Sequence, residues 1–257
     1  MAEEGTAGRF VWHELLTTDP EAAIRFYTDV IGWGTAPHNG TGEAYTMWMA
    51  GEAPIGGVME LPEQARQMGA PPNWMAYVSV LDAGAAAERV KTLGGNVIMG
   101  PWEVPTIGRL AVIADSAGAV LALLQPDTPM PAVPPAPGRF SWCELLTPDP
   151  EKSLAFYADM FGWERMADMD MGPAGTYHIF GRGGEQWGGV YRPPAAPGPS
   201  AWLYYAMVDS TDAAAERAKA GGGRLVHGPS EVPGGDRVAV CMDPQGAMFA
   251  VHSRAAG

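Results

Sequence analysis

The chain has 257 residues and a formal net charge of −13, and this acidity limits the kind of partner it can bind. Nucleic acids and anionic membranes are bound mainly through Lys and Arg, and the chain has only three lysines, Lys91, Lys152 and Lys219. We therefore expect no nucleic-acid partner and no membrane partner. The composition, 47% hydrophobic and 18% charged, is typical of a globular protein, and 34 glycines and 24 prolines predict many turns.

Targeting signals and reactive cysteine motifs are not recognisable in the sequence. Met1 to Gly8 is acidic and contains glycine, and no stretch approaches 18 apolar residues. Cys143 and Cys241 lie in strand-like segments and do not have metal-type or redox-motif spacing. We therefore expect a cytoplasmic protein with reduced cysteines.

A long internal repeat organises the chain. Residues 8–17 are GRFVWHELLT, and residues 138–147 are GRFSWCELLT. The match continues to the end of each copy with small changes of offset, for example between Gly56-Gly57-Val58 and Gly188-Gly189-Val190. The repeat predicts one module at 8–125 and a second at 138–254, joined by a stiff, proline-rich linker at 126–137.

The periodicity of the first copy predicts a series of strands and helices. Asp19-Pro20 is a helix start signal, and Gly32 is a helix stop signal. In chain order we predict a strand at 9–16, a helix at 20–30, strands at 45–49, 54–60 and 74–80, a helix at 83–93, and strands at 96–100, 109–114 and 120–125. The second copy repeats the series, so the predicted class is α+β with mixed strand pairing.

The opening of each copy, from Trp12 through Asp19-Pro20-Glu21 to Gly32-Trp33 in the first, resembles modules of the vicinal oxygen chelate superfamily. That superfamily includes glyoxalase I, extradiol dioxygenases and bleomycin-resistance proteins. The turn Asp243-Pro244-Gln245-Gly246-Ala247 is similar to the D-P-x-G-N turn before the family's last metal ligand. The resemblance implies tandem glyoxalase-like modules built from paired βαβββ units, with mixed sheets curled into a cup around ligand and metal. It does not imply one reaction, because the family hosts isomerases, lyases, oxygenases and binding proteins.

The metal-ligand positions implied by the resemblance carry unsuitable side chains. They fall on Trp12, Met75 and Ala122 in the first copy and on Trp142, Leu203 and Ala250 in the second. An indole N–H has no lone pair to offer, and thioether and aliphatic groups do not suit the family's metals. His13 lies one residue from a ligand position, so its side chain should point to the opposite face. We therefore predict no metal site and no cofactor.

Strand alternation predicts which side chains face the cup instead. The predicted ligand-binding residues are Trp12, Trp142, Trp48, Met75, Tyr77, Phe180, Leu203, Tyr205 and His252. Aromatic walls with a few polar groups suit a flat, apolar and partly cationic molecule. Alternatively, these aromatics fill an ordinary core, and His252 is exposed to solvent near the chain end.

Glu14 and Glu144 are the predicted catalytic residues, because desolvation beside an indole raises the pKa of a carboxyl group and lets it accept a proton near neutral pH. Alternatively, each glutamate bonds to backbone or to an arginine. The predicted function is metal-independent binding or sequestration of a hydrophobic aromatic small molecule of the antibiotic or natural-product type, by a pseudo-dimeric monomer. The second hypothesis is a metal-free lyase, isomerase or oxygenase-accessory enzyme with Glu14 or Glu144 as base.

Overall fold

The computed structural model describes residues 6–38, 45–130, 134–193 and 200–255. Two predicted features fall partly outside these residues: the linker at 131–133, and the N-terminal segment at 1–5. The sequence patterns fold into strands and helices that are closely similar in the two copies.

The first copy consists of strands with three helices in its described part. Strands β1 to β8 are Phe10–Thr17, Gly34–His38, Tyr45–Ala50, Ala53–Glu60, Asn73–Ser79, Asn96–Val104, Gly108–Ala114 and Val120–Pro126. Helices α1 to α3 are Pro20–Ile31, Glu63–Gln67 and Ala83–Thr92.

In its described part, the second copy repeats the eight strands and the two longer helices, and adds a short 3-10 turn at Gly172–Ala174. Strands β9 to β16 are Phe140–Leu146, Glu164–Asp170, Thr176–Arg182, Glu185–Tyr191, Ala201–Met207, Arg224–Glu231, Arg237–Met242 and Met248–Ser253. Helices α4 and α5 are Pro150–Phe161 and Thr211–Ala220.

Each copy forms one mixed sheet of eight strands across its described residues. The order is β2-β3-β4-β1-β5-β8-β7-β6 in the first copy and β10-β11-β12-β9-β13-β16-β15-β14 in the second. The first and last strands of each βαβββ segment pair in parallel, as in β1 with β4 and β5 with β8, and the hairpins between them are antiparallel. The predicted α+β class with mixed sheets is confirmed.

Strand β2 and helix α2 were not predicted from the sequence. The β2 segment, GTAPH, has no apolar alternation and contains Pro37, which cannot donate a ladder hydrogen bond. The strand stands at the end of the sheet order, and an edge position tolerates such a residue. Strand β2 therefore depends on pairing with β3 and not on its own pattern.

The repeated Asp-Pro and Gly-Trp dipeptides set the ends of the first helix in each copy. Asp19 accepts a hydrogen bond from the Ala22 amide at 2.9 Å, and Asp149 accepts one from the Lys152 amide at 3.1 Å. At the other end, Gly32 has the left-handed φ of 91°, which favours glycine. These motifs are structural, as the sequence predicts.

Close contacts group the described residues into two compact units, and each unit takes parts of both copies. The first unit comprises the described parts of Met1–Val11, Met75–Val133 and Cys143–Trp202. The second comprises those of Trp12–Trp74, Pro134–Trp142 and Leu203–Gly257. A βαβββ segment of one copy therefore shares its unit with a segment of the other.

A tryptophan side chain joins the two copies inside each unit. In the second unit, the Trp33 indole N–H donates to the carbonyl oxygen of Gly138 at 2.5 Å. In the first unit, the Trp163 indole N–H donates to the carbonyl oxygen of Gly8 at 2.7 Å. Both tryptophans are buried, so each hydrogen bond satisfies an indole N–H that lies in the core.

No helix among the described residues combines the length and apolar character needed to cross a lipid bilayer.

His13 is buried between aromatic rings of the second unit. Its imidazole stacks on Phe140, with ring centroids 3.8 Å apart, and meets the edge of Tyr204 at 5.1 Å. Burial lowers the pKa of His13 from 6.5 to about 3, because desolvation penalises the imidazolium. The folded protein therefore holds this histidine neutral in a pH range where an unfolded chain would protonate it.

We predict that the free energy of unfolding contains a His13 contribution that is complete above pH 6.5 and is lost as the pH falls toward about 3. The slope reaches about 1.4 kcal/mol per pH unit at most. His13→Phe should flatten it, because phenylalanine can stack on Phe140 without titrating. Urea unfolding of both proteins at pH 7.5, 6, 5 and 4 measures the slope, and equal slopes would contradict the prediction.

Candidate functional site

Three side chains of the second unit form a hydrogen-bonded series on strands β1 and β3. The Trp12 indole N–H donates to the Tyr45 hydroxyl oxygen at 2.9 Å, and that hydroxyl donates to Oε1 of Glu14 at 2.7 Å. Glu14 is 5% exposed, and Trp12 is half-buried. Burial, followed by the charge of Glu14, raises the pKa of Tyr45 above its usual value, so the phenol stays protonated and donates to the carboxylate.

A glycine in strand β4 makes room for this contact. Gly57 lies opposite Glu14 in the parallel β1–β4 pair. A Cβ atom at Gly57 would overlap the hydroxyl and ring of Tyr45, so any other residue would push the phenol away from the glutamate. The Gly-Gly-Val repeat thus encodes a close approach of side chain to backbone.

The first unit contains the corresponding pair from the second copy. The Tyr177 hydroxyl donates to Oε1 of Glu144 at 2.9 Å, and a Cβ at Gly189 would overlap the Tyr177 ring. Tyr191 packs against Tyr177, with ring centroids 5.4 Å apart. Burial, followed by the charge of Glu144, raises the pKa of Tyr191 to about 12. We call the Tyr45–Glu14 and Tyr177–Glu144 pairs the tyrosine–glutamate pairs.

In the first copy, the tryptophan and glutamate predicted from strand parity are brought together, because Trp12 and Glu14 both bond to Tyr45. In the second copy, Trp142 is half-buried on β9. Met75 and Tyr77 on β5, and Leu203 and Tyr205 on β13, are buried. Tyr77 pairs with Ala122, and Tyr205 pairs with Ala250.

Trp48 and Phe180, also predicted to bind the ligand, are fully buried among other aromatic rings. Trp48 lies near Trp33 and Tyr27, with ring centroids 5.5 and 5.7 Å apart. Phe180 stacks on Trp163 at 4.6 Å. These rings fill the core on the helix side of the strands, and a ligand would have to displace that core to touch them.

His252, the last predicted ligand-binding residue, is bonded on both ring nitrogens. Its Nε2 lies 2.9 Å from Oδ2 of Asp236, and its Nδ1 lies 3.0 Å from the Ser141 hydroxyl. Its side chain is 15% exposed. The structure therefore places His252 in a polar network, which the sequence did not reveal.

The donor atoms do not fit the metal site that the family resemblance implies. Trp12 occupies a ligand position, but its indole nitrogen is a hydrogen-bond donor to Tyr45. Ala122 and Ala250 offer methyl groups at the position of the family's terminal glutamate. Among the described residues, no three His, Cys, Asp or Glu side chains are grouped so that they could share a metal ion.

The sequence did not predict a cavity of about 540 Å³ in the first unit. His178 is buried beside it, with Nδ1 2.9 Å from Oδ1 of Asp168. Arg165 bonds to Asp168 and to Glu151, and the bonds from Arg165 and His178 lower the pKa of Asp168 to about 2. The cavity is lined by Pro150, Glu151, Arg165, Asp168, Pro173, Gly175, Thr176, His178, Arg192 and Pro193.

Sequence reasoning also missed the part played by Tyr45 and Tyr177. The signal was present, because each tyrosine recurs at the same place in the repeat together with a Gly-Gly pair inside a strand. A glycine within a strand often marks the close approach of another group. The structure shows that the approaching group is the tyrosine bonded to the glutamate.

Each copy contains two four-strand βαβββ segments, and together they define a paired βαβββ fold. A profile of the "Glyoxalase/Bleomycin resistance protein/Dioxygenase superfamily" matches residues 9–123 and 139–251. The chain belongs to this superfamily, and its two glyoxalase-like modules follow one another in tandem.

Relatives with similar sequences cover nearly the whole chain. "Putative glyoxylase CFP32" of Mycobacterium tuberculosis is 35% identical over 243 residues, which are 93% of this chain and 92% of that protein. "Anthracycline biosynthesis protein DauV" of Streptomyces sp. strain C5 is 32% identical over 265 aligned positions, covering 95% of this chain and 92% of that protein. "Anthracycline biosynthesis protein DnrV" of Streptomyces peucetius is also 32% identical, with the same coverage.

Solved structures with low sequence identity share the fold. The 2,3-dioxygenase LapB from Pseudomonas sp. KL28 matches with a TM-score of 0.68 and 12% identity, over 99% of this chain and 94% of LapB. The Mn(II)-bound glyoxalase from Novosphingobium aromaticivorans matches with a TM-score of 0.65 and 14% identity, over 98% of this chain and 83% of that chain. At these identities the likeness concerns the fold alone.

We predict that Gly57→Ala breaks the hydrogen bond between Tyr45 and Glu14, because the added methyl group would occupy the place of the phenol. The free energy of unfolding should fall by about 1–3 kcal/mol, as in other overpacked sites. Gly34→Ala is the matched control, since the nearest atom to its Cβ would be 3.8 Å away. Urea unfolding measures both variants, and equal stabilities of the two would contradict the packing described for Gly57.

Proposed function

We propose that the chain binds a flat aromatic small molecule of the natural-product type at its tyrosine–glutamate pairs, without a metal ion. The observation that carries the proposal is the bonded series of Trp12, Tyr45 and Glu14, with Tyr177 and Glu144 in the second copy. Indole and phenol rings offer flat apolar surface. A carboxylate accepts a hydrogen bond from a hydroxyl group or pairs with a cationic group.

The hydrogen bond from each tyrosine fixes the orientation of its carboxylate before a ligand arrives. Preorganisation of this kind lowers the entropic cost of binding, because the side chain does not have to be immobilised by the ligand. In the first copy the Trp12 indole is held as well, through its bond to Tyr45. The aromatic and acidic groups of the site therefore form a rigid set, as a binding surface requires.

Two sequence relatives are named for anthracycline biosynthesis, and this supports a polycyclic aromatic ligand. Anthracyclines are flat fused-ring compounds that carry phenolic hydroxyl groups, and a carboxylate can accept hydrogen bonds from these hydroxyl groups. The net charge of −13 also favours a ligand with a positive charge. Two fused copies let one chain carry both sites, so the proposal takes the monomer as the binding form.

The side chains at the family's ligand positions support the proposed metal independence. A protein metal site needs about three donors, and Trp12, Met75 and Ala122 supply none of the usual nitrogen or oxygen ligands. The same holds for Trp142, Leu203 and Ala250 in the second copy.

The second candidate function is a metal-free lyase, isomerase or oxygenase-accessory reaction with Glu14 or Glu144 as base. One observation favours it: Glu14 is almost fully buried and bonded to a phenol, an arrangement that can hold and release a proton. The names of the biosynthetic relatives agree with a reaction as well as with binding. Product formation from the bound compound, followed by mass spectrometry, distinguishes an enzyme from a binding protein.

Tryptophan fluorescence titration with 1,8-dihydroxyanthraquinone tests the binding proposal. We predict saturable quenching at micromolar ligand, unchanged after dialysis against EDTA. Trp12→Leu removes the indole and should weaken binding at the first site by about 0.5–1.5 kcal/mol, or roughly 2- to 10-fold. Glu14→Gln keeps the size of the side chain and should also weaken binding, because a carboxylate accepts a stronger hydrogen bond from a phenolic hydroxyl than a neutral amide does.

Half-buried Trp102 provides a matched control, because it lies on β6 and takes no part in the tyrosine–glutamate pairs. Trp102→Leu should leave the affinity unchanged. Failure of the wild-type protein to quench across several planar hydroxyquinones would overturn the proposal, as would binding that disappears with EDTA and returns with a divalent metal.

A further inference from the structure

A serine, a histidine and an aspartate of the second unit are hydrogen-bonded in sequence, apart from the tyrosine–glutamate pairs. The Ser141 hydroxyl lies 3.0 Å from Nδ1 of His252, and Nε2 of His252 lies 2.9 Å from Oδ2 of Asp236. Ser141 is on β9, His252 is on β16, and Asp236 immediately precedes β15. The fold thus brings together three residues that are up to 111 positions apart.

The partners of Asp236 determine which nitrogen of His252 carries the proton. Oδ1 of Asp236 accepts a hydrogen bond from the Ala255 amide at 2.9 Å, which holds the carboxylate in place. The bond from His252 lowers the pKa of Asp236, so this group is an anion and accepts the proton on Nε2. A neutral His252 then presents the lone pair of Nδ1 to the Ser141 hydroxyl.

The Ser141 hydroxyl has a second neighbour, which does not compete strongly. The carbonyl oxygen of Tyr205 lies 3.4 Å away, beyond the usual range of a hydroxyl hydrogen bond. The shorter contact, to Nδ1 of His252, is therefore the better acceptor for the hydroxyl proton. Ser141 is half-buried, and the side chains of His252 and Asp236 are 15% and 37% exposed, so solvent reaches the series.

The fold does not need these three residues. The repeat aligns Ser141 with Val11, Asp236 with Gly108, and His252 with Leu124, and the first copy builds the corresponding strands β1, β7 and β8 from them. A hydrogen-bonded series that exists in one copy and is replaced by apolar residues in the other is a feature added to a common framework.

We propose that Ser141 is an activated nucleophile, with His252 as its general base and Asp236 as the residue that orients His252, and that it cleaves small carboxylic esters. Oγ of Ser141 bonds to the ester carbonyl carbon as its proton passes to Nδ1 of His252. The carbon–alkoxy bond then breaks, and the leaving alcohol takes that proton. Water releases the acid from the acylated serine by the same proton transfers and restores Ser141.

Labelling with a fluorophosphonate tests the proposal directly, since the reagent bonds to activated serines with loss of fluoride. We expect one adduct per chain, located on Ser141 by peptide mass spectrometry, and release of p-nitrophenol from p-nitrophenyl acetate by the untreated protein. Asp236→Asn should slow both reactions about 100-fold, because it no longer fixes the histidine tautomer. Ser141→Val and His252→Leu introduce the residues of the first copy and should abolish both.

A second serine–histidine pair provides the control. The Ser230 hydroxyl lies 3.3 Å from Nε2 of His227, and in the described part of the chain His227 has no carboxylate partner. Ser230→Ala should leave labelling and ester cleavage unchanged. An unlabelled Ser141 in the folded wild-type protein overturns the proposal, and so does an Asp236→Asn variant that reacts at the wild-type rate. Thermal unfolding of each variant shows whether it is folded.

Discussion

The close approach of a tyrosine to a strand glycine is the constraint on which the site depends. Tyr45 reaches Glu14 only because Gly57 has no side chain, and Tyr177 reaches Glu144 only because Gly189 has none. A buried carboxylate without a hydrogen bond is costly, so the hydrogen bond from the tyrosine hydroxyl stabilises an acidic group at this place in the sheet. Glycine, tyrosine and glutamate form one structural element, and it occurs in both copies.

The two faces of the same strands have different roles. Trp48 and Phe180 pack with Trp33 and Trp163 on the helix side, where the indoles of Trp33 and Trp163 also bond to backbone of the other copy. The opposite face carries the tyrosine–glutamate pairs. The aromatic side chains therefore stabilise the core on one face, and polar and aromatic groups lie together on the other, which is the face of the proposed ligand site.

The longer helices and most strands could be predicted because their ends are marked by short motifs, and the two copies because one motif recurs along the chain. Asp19-Pro20 and Gly32 set the ends of α1, and the repeat itself revealed two copies. Strand β2 escaped prediction, since Pro37 and the lack of alternation hide a strand that exists through pairing. The partners of Glu14 and His252 escaped it too, because Tyr45 and Asp236 meet them through tertiary contacts with no fixed spacing in the sequence.

Carboxyl NMR of protein labelled with carbon-13 at the glutamate side chains tests the central claim most directly. Spectra of Glu14→Gln and Glu144→Gln would assign the two signals. We predict that both signals move saturably as 1,8-dihydroxyanthraquinone is added, because the proposed site places the ligand against the tyrosine–glutamate pairs. Ligand binding that leaves both carboxyl signals in place would contradict it.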